Sequence, residues 1–130
     1  MIGFDTTTLI DFFRKNKELK ELLDSIDEDF CTTLINYQEI IFGIDISDYA
    51  YLEEFNFYQS LFNNLILIIP DKNSCDKSSD IFWHLKKNNK LIDKFDIMVA
   101  GVLLSNGITK IITKNKKHYE NIPGLKVISY

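Results

Sequence analysis

Short apolar runs alternate with longer amphipathic segments along the chain, and this alternation constrains the fold most. The run at 65–69, Leu-Ile-Leu-Ile-Ile, is continuous and ends at a proline, which is typical of a parallel strand buried on both faces. Similar runs predict strands at residues 2–4, 30–32, 65–69, 110–113 and 126–128. Strands separated by helices predict an α/β domain with a mostly parallel five-stranded sheet flanked by helices.

The segments between these runs contain helix signals. Thr33, Asp71 and Asp93 stand where an N-cap is expected, and Ser47 or Asp48 can cap another helix. We expect helices near residues 9–13, 18–27, 34–44, 49–63, 72–89 and 94–105, with one further turn at 116–119. The 130 residues contain no linker or repeat, so residues 1–130 are expected to form one domain.

The charge of the chain is distributed unevenly. The net charge is −4, but residues 1–80 hold 6 Lys and Arg against 16 Asp and Glu, whereas residues 81–130 hold 9 Lys against 3 acids. Such an asymmetry is consistent with a surface for a polyanion in the C-terminal part. Lysines on exposed helix faces would give the same count, so charge alone leaves both interpretations open.

Sequence features that would indicate export are missing. The first residues do not resemble a signal peptide, and no apolar run approaches the ~20 residues that span a bilayer. The two cysteines, Cys31 and Cys75, are far apart and follow no disulfide or zinc pattern. We therefore expect a cytoplasmic protein without a membrane partner.

Three acidic residues have positions that suggest chemistry. Asp5 directly follows the first strand, at the sheet edge where parallel α/β proteins bind ligands. Glu39 lies at the border of the apolar face of its helix, where a carboxylate is costly unless it is paired, protonated or bound to a metal. Asp96 lies in the first turn of an otherwise apolar helix, with small Ala100 and Gly101 behind it to allow a close approach to the sheet.

Each of these acids also has an ordinary structural interpretation. Asp5 can be a helix N-cap. Glu39 can reach water from the edge of its helix. Asp96 can form a capping arrangement with Asp93 that suits the helix dipole. No zinc spacing, nucleophile elbow or phosphate-binding glycine loop is present, so oxygen ligands for Mg²⁺ or Mn²⁺ are the remaining metal chemistry.

Four segments resemble the motifs of PIN-domain nucleases, and specifically of VapC-type toxins of toxin–antitoxin pairs. They are IGFDTTTLID at 2–11, NYQEIIFG at 36–43, FDIMVAG at 95–101, and ITKNKKHY at 112–119 followed by IPGL at 122–125. The resemblance covers nearly the whole chain. It implies a parallel sheet with flanking helices, divalent-metal-dependent cleavage of RNA, and a cognate antitoxin that neutralises the toxin. A homodimer is also expected, from the aromatic segment described below.

The resemblance also implies roles for residues of this chain. Asp5, Glu39 and Asp96 are expected to bind the metal, and Asn115 to act with them. Many relatives have an acid where this chain has Asn115, with His118 three residues on, so metal affinity and the number of ions are open. Thr7, Thr113 and His118 are expected to support the site. Lys94, Lys114, Lys116 and Lys117 are expected to bind RNA phosphates.

Two other functions remain possible from the sequence. A PIN-like domain could bind RNA or a protein without cutting, and a small phosphohydrolase could also place an aspartate after its first strand, although that class usually needs a second aspartate where Thr7 stands. The aromatic segment with Tyr49, Tyr51, Phe55, Phe57, Tyr58 and Phe62 has too many rings for one helix face. It predicts core packing, or an exposed groove for an antitoxin segment or a second subunit.

Overall fold

A computed structural model describes all residues, from Met1 to Tyr130. The strands are β1 (Ile2–Phe4), β2 (Phe30–Thr33), β3 (Ile66–Ile68), β4 (Lys110–Ile112) and β5 (Lys126–Ile128). The helices are α1 (Thr6–Phe13), α2 (Lys17–Asp24), α3 (Leu34–Phe42), α4 (Leu52–Asn64), α5 (Lys72–Lys87), α6 (Lys94–Ser105) and α7 (Lys116–Tyr119), and a 3₁₀ turn at Tyr49–Tyr51 precedes α4. The structure confirms the predicted α/β class.

The five strands form one sheet in the order β3-β2-β1-β4-β5, and every neighbouring pair is parallel. Gly3 in the central strand β1 pairs with Cys31 on one side and Ile111 on the other. The chain therefore leaves β1 between two neighbours, and the loops after β1, β2 and β4 emerge at one edge of the sheet.

Helices cover both faces of the sheet. On one face, α5, α6 and α7 pack on Cys31 and Ile111. On the other, α1, α2, α3 and α4 pack on Ile2, Phe4 and Ile112. Because neighbouring strand residues point to opposite faces, each strand contributes to both cores.

Local sequence explains why the helices begin where they do. The side chains of Asp5, Asn16, Thr33, Asp71 and Asp93 each accept a hydrogen bond from a backbone N–H in the first turn that follows. Thr33 and Asp71 form capping boxes with the residue three positions later.

Two expectations about packing were wrong. The run at 65–69 is not buried on both faces, because β3 is an edge strand and Ile66 and Ile69 are 46% and 66% exposed. Gly101 does not serve the approach to the sheet: a Cβ there would lie 2.0 Å from Ser78 Oγ and 2.9 Å from the Ser74 carbonyl oxygen, so the glycine allows α6 to pack closely on α5. None of the helices is long and apolar enough to cross a membrane.

Candidate active site

An acidic pocket of about 350 Å³ opens at the carboxyl edge of the sheet. Its lining comes from the start of α1, from α3, from the start of α6 and from the loop before and within α7, and consists of Asp5, Thr6, Thr7, Glu39, Asp93, Phe95, Asp96, Asn115 and His118. Asp5, Glu39 and Asp96 thus line one pocket. The fold brings them there because β1 and β4 are neighbours, while α3 and α6 pack against each other.

Asp5 is the most enclosed of the three carboxylates, with 3% of its surface exposed. Its Oδ1 accepts from the Thr8 backbone N–H and its Oδ2 from the Thr113 hydroxyl, at 2.8 and 2.5 Å. The Thr7 hydroxyl lies 2.8 and 2.9 Å from the two oxygens. Asp5 is therefore both the N-cap of α1 and part of the pocket lining, so its capping role does not exclude a role in the pocket.

The Thr8 hydroxyl limits how many bonds Asp5 receives. Its oxygen lies 2.8 Å from Asp5 Oδ1 and 2.7 Å from the Ile112 carbonyl oxygen, but a hydroxyl has one hydrogen to donate. When that hydrogen goes to Ile112, Asp5 keeps three neutral donors. A carboxylate has about four acceptor sites, so one site remains for a ligand in the pocket.

Glu39 is held by the start of the first helix rather than by its own. The Thr6 hydroxyl donates to Glu39 Oε1 at 2.8 Å. Thr6 in turn accepts at 3.2 Å from the side-chain amide of buried Asn36, whose Oδ1 lies 2.7 Å from the Thr33 hydroxyl. Two hydrogen bonds, from Asn36 to Thr6 and from Thr6 to Glu39, therefore connect the capping box of α3 to Glu39. Oε2 of Glu39 remains available to a ligand in the pocket.

Asp96 is held by two residues of α7. The Tyr119 hydroxyl donates to Oδ1 at 3.0 Å, and His118 Nδ1 lies 2.8 Å from Oδ2. Because a carboxylate only accepts, this contact places the hydrogen on Nδ1 and leaves Nε2 of His118 free. His118 is about half exposed, with a side-chain exposure of 48%.

The carboxyl groups of Glu39 and Asp96 are harder to ionise than usual. Burial raises the pKa of Glu39, and the nearby Asp96, Asp93 and Asp5 raise it further, against the bond from Thr6. Burial also raises the pKa of Asp96, with Tyr119 and His118 opposing it. The pKa of buried Tyr119 lies well above its ordinary value, first through burial and then through these carboxylates. Excess negative charge in a poorly solvated pocket favours a cation.

The fourth predicted segment contributes neutral groups. Asn115 lines the pocket, and its side chain makes no capping hydrogen bond although the residue starts α7. Thr113 is fully buried and links the segment to Asp5, since its hydroxyl accepts from the Asn115 backbone N–H at 3.0 Å and donates to Asp5.

The four lysines predicted to bind RNA have different surroundings. Lys116 and Lys117 are exposed on α7 and lie in no ion pair. Lys94 is the first residue of α6, between two residues that line the pocket. Lys114 has a partner: its Nζ lies 3.5 Å from Oδ2 of Asp11, a buried aspartate that also accepts from the Tyr130 hydroxyl at 2.8 Å.

Sequence reasoning missed several residues of the site. Thr6, Asn36 and Tyr119 orient the carboxylates, and Asp93 and Phe95 line the pocket. Asp93 had been considered only as a cap. Thr6 and Asn36 gave a usable signal, because each lies within a motif segment next to a capping position, but only the fold shows that they meet.

The pocket has the chemistry of a divalent-cation site without a formed coordination sphere. Its oxygen donors suit Mg²⁺ or Mn²⁺, and burial, which raises the pKa values of Glu39 and Asp96, makes their negative charge costly without a cation. No three acidic, histidine or cysteine side chains converge closely enough to hold an ion as they stand. The residue types therefore fit the cation, and binding would require the side chains to move toward one another.

A parallel five-stranded α/β sheet with an acidic pocket at its carboxyl edge defines the class of protein. The PIN domain family model matches residues 2–124, and the chain belongs to the PIN domain family. No curated protein sequence matches the chain.

Solved structures of low sequence identity share this fold over the whole chain. A DNA-bound VapBC from Salmonella typhimurium is 22% identical, with a TM-score of 0.85, and the match covers 99% of this chain and 98% of that one. VapBC2 of Rickettsia felis, bound to a promoter DNA fragment, is 14% identical with a TM-score of 0.86 and coverages of 100% and 99%. VapBC-1 of nontypeable Haemophilus influenzae is 24% identical with a TM-score of 0.78 and coverages of 99% and 98%.

Proposed function

We propose that this chain is a VapC-type toxin of a type II toxin–antitoxin pair, an endoribonuclease that uses Mg²⁺ or Mn²⁺. The observation that carries the proposal is that Asp5, Glu39 and Asp96, from three separate segments, line one pocket at the carboxyl edge of the sheet. Membership of the PIN domain family and the likeness to VapBC structures support it.

In this proposal Asp5, Glu39 and Asp96 hold the ion, and the Asn115 side-chain oxygen adds a neutral ligand or holds a water. A bound divalent ion polarises a phosphoryl oxygen and lowers the pKa of a water. Three carboxylates and one amide give a less negative site than four carboxylates would, so binding is expected to be weaker or limited to one ion.

The neighbouring residues set the orientation of these carboxylates. Tyr119 and His118 fix Asp96, and Thr6 fixes Oε1 of Glu39. Oε2 of Glu39 is then the oxygen that would bind the ion or orient the attacking water.

RNA and a protein are the proposed partners. Lys94, Lys116 and Lys117 lie beside the pocket or on α7 and would neutralise phosphates on either side of the cut, with Lys114 contributing less, so binding would weaken with salt. For the antitoxin, an apolar groove of about 380 Å³ lies around Ile46, Tyr49 and Leu52, which are 71%, 85% and 43% exposed. Tyr58 and Phe62, in contrast, are core residues. The homodimer stays a prediction that light scattering of the isolated chain tests.

One observation favours a second candidate, a PIN domain that binds RNA without cutting it. The acidic side chains do not converge on an ion as they stand, and Asn115 supplies no charge. A binding module would need the lysines and the pocket but no metal-dependent step.

Cleavage of RNA by purified protein with Mn²⁺, Mg²⁺ or a chelator separates the two candidates. We expect cleavage with metal only, and a loss of roughly 10²-fold or more in rate for Asp96→Asn. Asp80→Asn, an exposed aspartate of α5 outside the acidic pocket, is the matched control and should cleave normally. Metal should also raise the melting temperature of the wild type but not of Asp96→Asn.

RNA binding without cleavage under every metal condition would instead support the second candidate. The toxin assignment has its own test, since expression of the wild type should arrest growth and expression of Asp96→Asn should not.

A further inference from the structure

A surface of aromatic and basic side chains lies next to the acidic pocket but is distinct from it. It is formed by the end of α5, the following loop and the start of α6, and we call it the Trp83 strip. Its members are Phe82, Trp83, Lys86 and Lys94. The segment 81–95 contains four lysines and one aspartate in a chain of net charge −4.

The aromatic rings of the strip are held in a fixed arrangement. Phe82 and Trp83 contact each other edge to face, with ring centroids 5.5 Å apart and planes at 90°. Phe82 packs partly into the core, whereas Trp83 is 51% exposed. Phe82 therefore anchors an indole ring that stands at the surface. A rigid aromatic ring loses little conformational entropy when a planar ligand stacks on it.

Lysines surround these rings without acidic partners. Lys86 Nζ lies 4.9 Å from the Trp83 ring centroid and 5.9 Å from that of Phe82, and Lys94 Nζ lies 6.0 Å from the Phe82 ring. The salt bridges of the chain involve other lysines. These ammonium groups are thus held over aromatic faces and remain available to phosphates.

The strip is continuous with the rim of the acidic pocket. Lys94 lies between Asp93 and Phe95, both of which line the pocket. Lys94 also contacts Phe82, which contacts Trp83. A strand that leaves the pocket past Lys94 would reach the indole within two side-chain contacts.

We propose that the Trp83 strip binds single-stranded RNA beside the cut, with one unpaired base stacked on Trp83 and the flanking phosphates on Lys86 and Lys94. Charge complementarity and the exposed ring select this ligand, because stacking on an aromatic ring with basic neighbours is how single strands are bound without sequence preference. A paired base would not offer its face. That the strip lies beside a cleavage site rests on the proposed function, but RNA binding to the strip does not.

The chain offers a direct readout, because Trp83 is its only tryptophan. A single-stranded RNA oligonucleotide titrated in the presence of a chelator should quench the tryptophan fluorescence, whereas duplex RNA and heparin should not. Labelled RNA should bind Trp83→Ala about 5- to 150-fold more weakly than the wild type, while Trp83→Phe should bind nearly normally. Lys86→Ala should reduce the salt dependence by about 0.7 in the logarithmic slope.

Phe42→Ala is the matched control. Phe42 is also an exposed aromatic residue, at 73%, but the charged residues three positions to either side, Glu39 and Asp45, are acidic, and it lines neither the acidic pocket nor the apolar groove. Its replacement should leave RNA affinity unchanged.

Several results would overturn the proposal. Equal affinities of Trp83→Ala and Phe42→Ala would remove the stacking site. Quenching by heparin as strong as that by RNA would show a surface that reads charge alone. Quenching by the antitoxin and not by RNA would assign the strip to a protein.

Cleavage assays keep this proposal separate from the proposed function. With metal, Trp83→Ala should slow the cleavage of long RNA more than that of a dinucleotide, which has a single phosphodiester bond. If no RNA is cut but quenching by RNA persists, the nuclease assignment fails and the strip stands. If long RNA is cut equally by both proteins and no quenching occurs, the strip fails and the nuclease assignment stands.

Discussion

The acidic pocket has two walls that treat their carboxylates differently. On the wall built by β1, α1 and β4, Asp5 is almost fully buried and receives three neutral donors, from Thr7, Thr8 and Thr113. On the wall built by α3 and α6, Glu39 and Asp96 have fewer donors, and their pKa values are raised by burial.

This difference predicts that the two walls respond differently to a bound cation. Asp5 is held in one position by the backbone and side chains that also start α1, so its geometry is fixed before any ligand arrives. Glu39 and Asp96 receive fewer hydrogen bonds, and burial makes their negative charge costly. A cation in the pocket should therefore change the second wall more than the first.

The largest expected effect comes from Asp5 on the wall built by β1, α1 and β4, which we call the fixed wall. Asp5→Asn should reduce cleavage by roughly 10²-fold or more, because it removes a charge at the reacting centre. It should also cost about 1–3 kcal/mol of stability, since an amide N–H group would face hydroxyl and N–H donors. Cleavage rates and chemical denaturation measure the two effects.

Asp71→Asn provides the control for the capping role. Asp71 caps α5 in the same way that Asp5 caps α1 but lies outside the pocket, and asparagine is an equally good cap. This variant should retain its activity and its stability. Full activity in Asp5→Asn would remove the fixed wall from the mechanism.

The second prediction concerns Glu39, on the wall built by α3 and α6. A carboxylate with a folded-state pKa above its unfolded value stabilises the fold fully at pH below the unfolded pKa, about 4.3 for Glu, and that contribution is lost as pH rises through the folded pKa. Compared with Glu39→Gln, the metal-free wild type should thus lose stability as pH rises above about 4. Acids with lowered pKa values, such as Glu28 and Asp45, contribute equally in both proteins. Melting temperatures across this pH range, in chelator, test the sign.

Added metal should reverse the order of the two proteins. Mn²⁺ should raise the melting temperature of the wild type at neutral pH and have little effect on Glu39→Gln, because binding only to the folded state stabilises it. Equal shifts in both proteins would mean that Glu39 does not take part in cation binding.

Much of the fold follows from local sequence. The strands and most helix starts could be predicted because short β-rich runs and capping side chains act over a few residues, as with Thr33, Asp71 and Asp93. The depth of burial of the run at 65–69 could not. An edge strand and a central strand can have the same apolar sequence, and only the strand order places β3 at the edge.

The candidate site was predictable to a different extent. Asp5, Glu39 and Asp96 could be singled out, because a strand end, a polar residue at an apolar border and a motif resemblance each marked them. The groups that orient them were harder to find, since Thr6 reaches Glu39 and Tyr119 reaches Asp96 across 33 and 23 residues of sequence. Only the packed structure creates these contacts.

A smaller effect is expected at Thr113, whose hydroxyl connects Asp5 to Asn115 at the start of α7. Thr113→Val should cost about 1–3 kcal/mol, because it removes the Thr113 donor from buried Asp5 and the acceptor of the partly buried Asn115 N–H. Cleavage should fall by less than in Asp5→Asn, since the charge remains. Thr109→Val, at an exposed threonine just before β4, should change neither quantity. A drop in cleavage as large as that of Asp5→Asn would make position, rather than charge, the main contribution of the fixed wall.

The smallest effect should come from Lys114→Ala. Lys114 is half exposed and lies 3.5 Å from Asp11, and an ion pair with such an exposed partner contributes at most about 1 kcal/mol. Asp11 would keep the hydrogen bond from Tyr130. Because the Lys114 charge is already partly neutralised, its loss should flatten the salt dependence of RNA binding less than the loss of Lys117, which has no acidic partner. Binding titrations of both variants over a range of salt compare the two slopes, and a larger change for Lys114→Ala would show that RNA displaces Asp11 from the lysine.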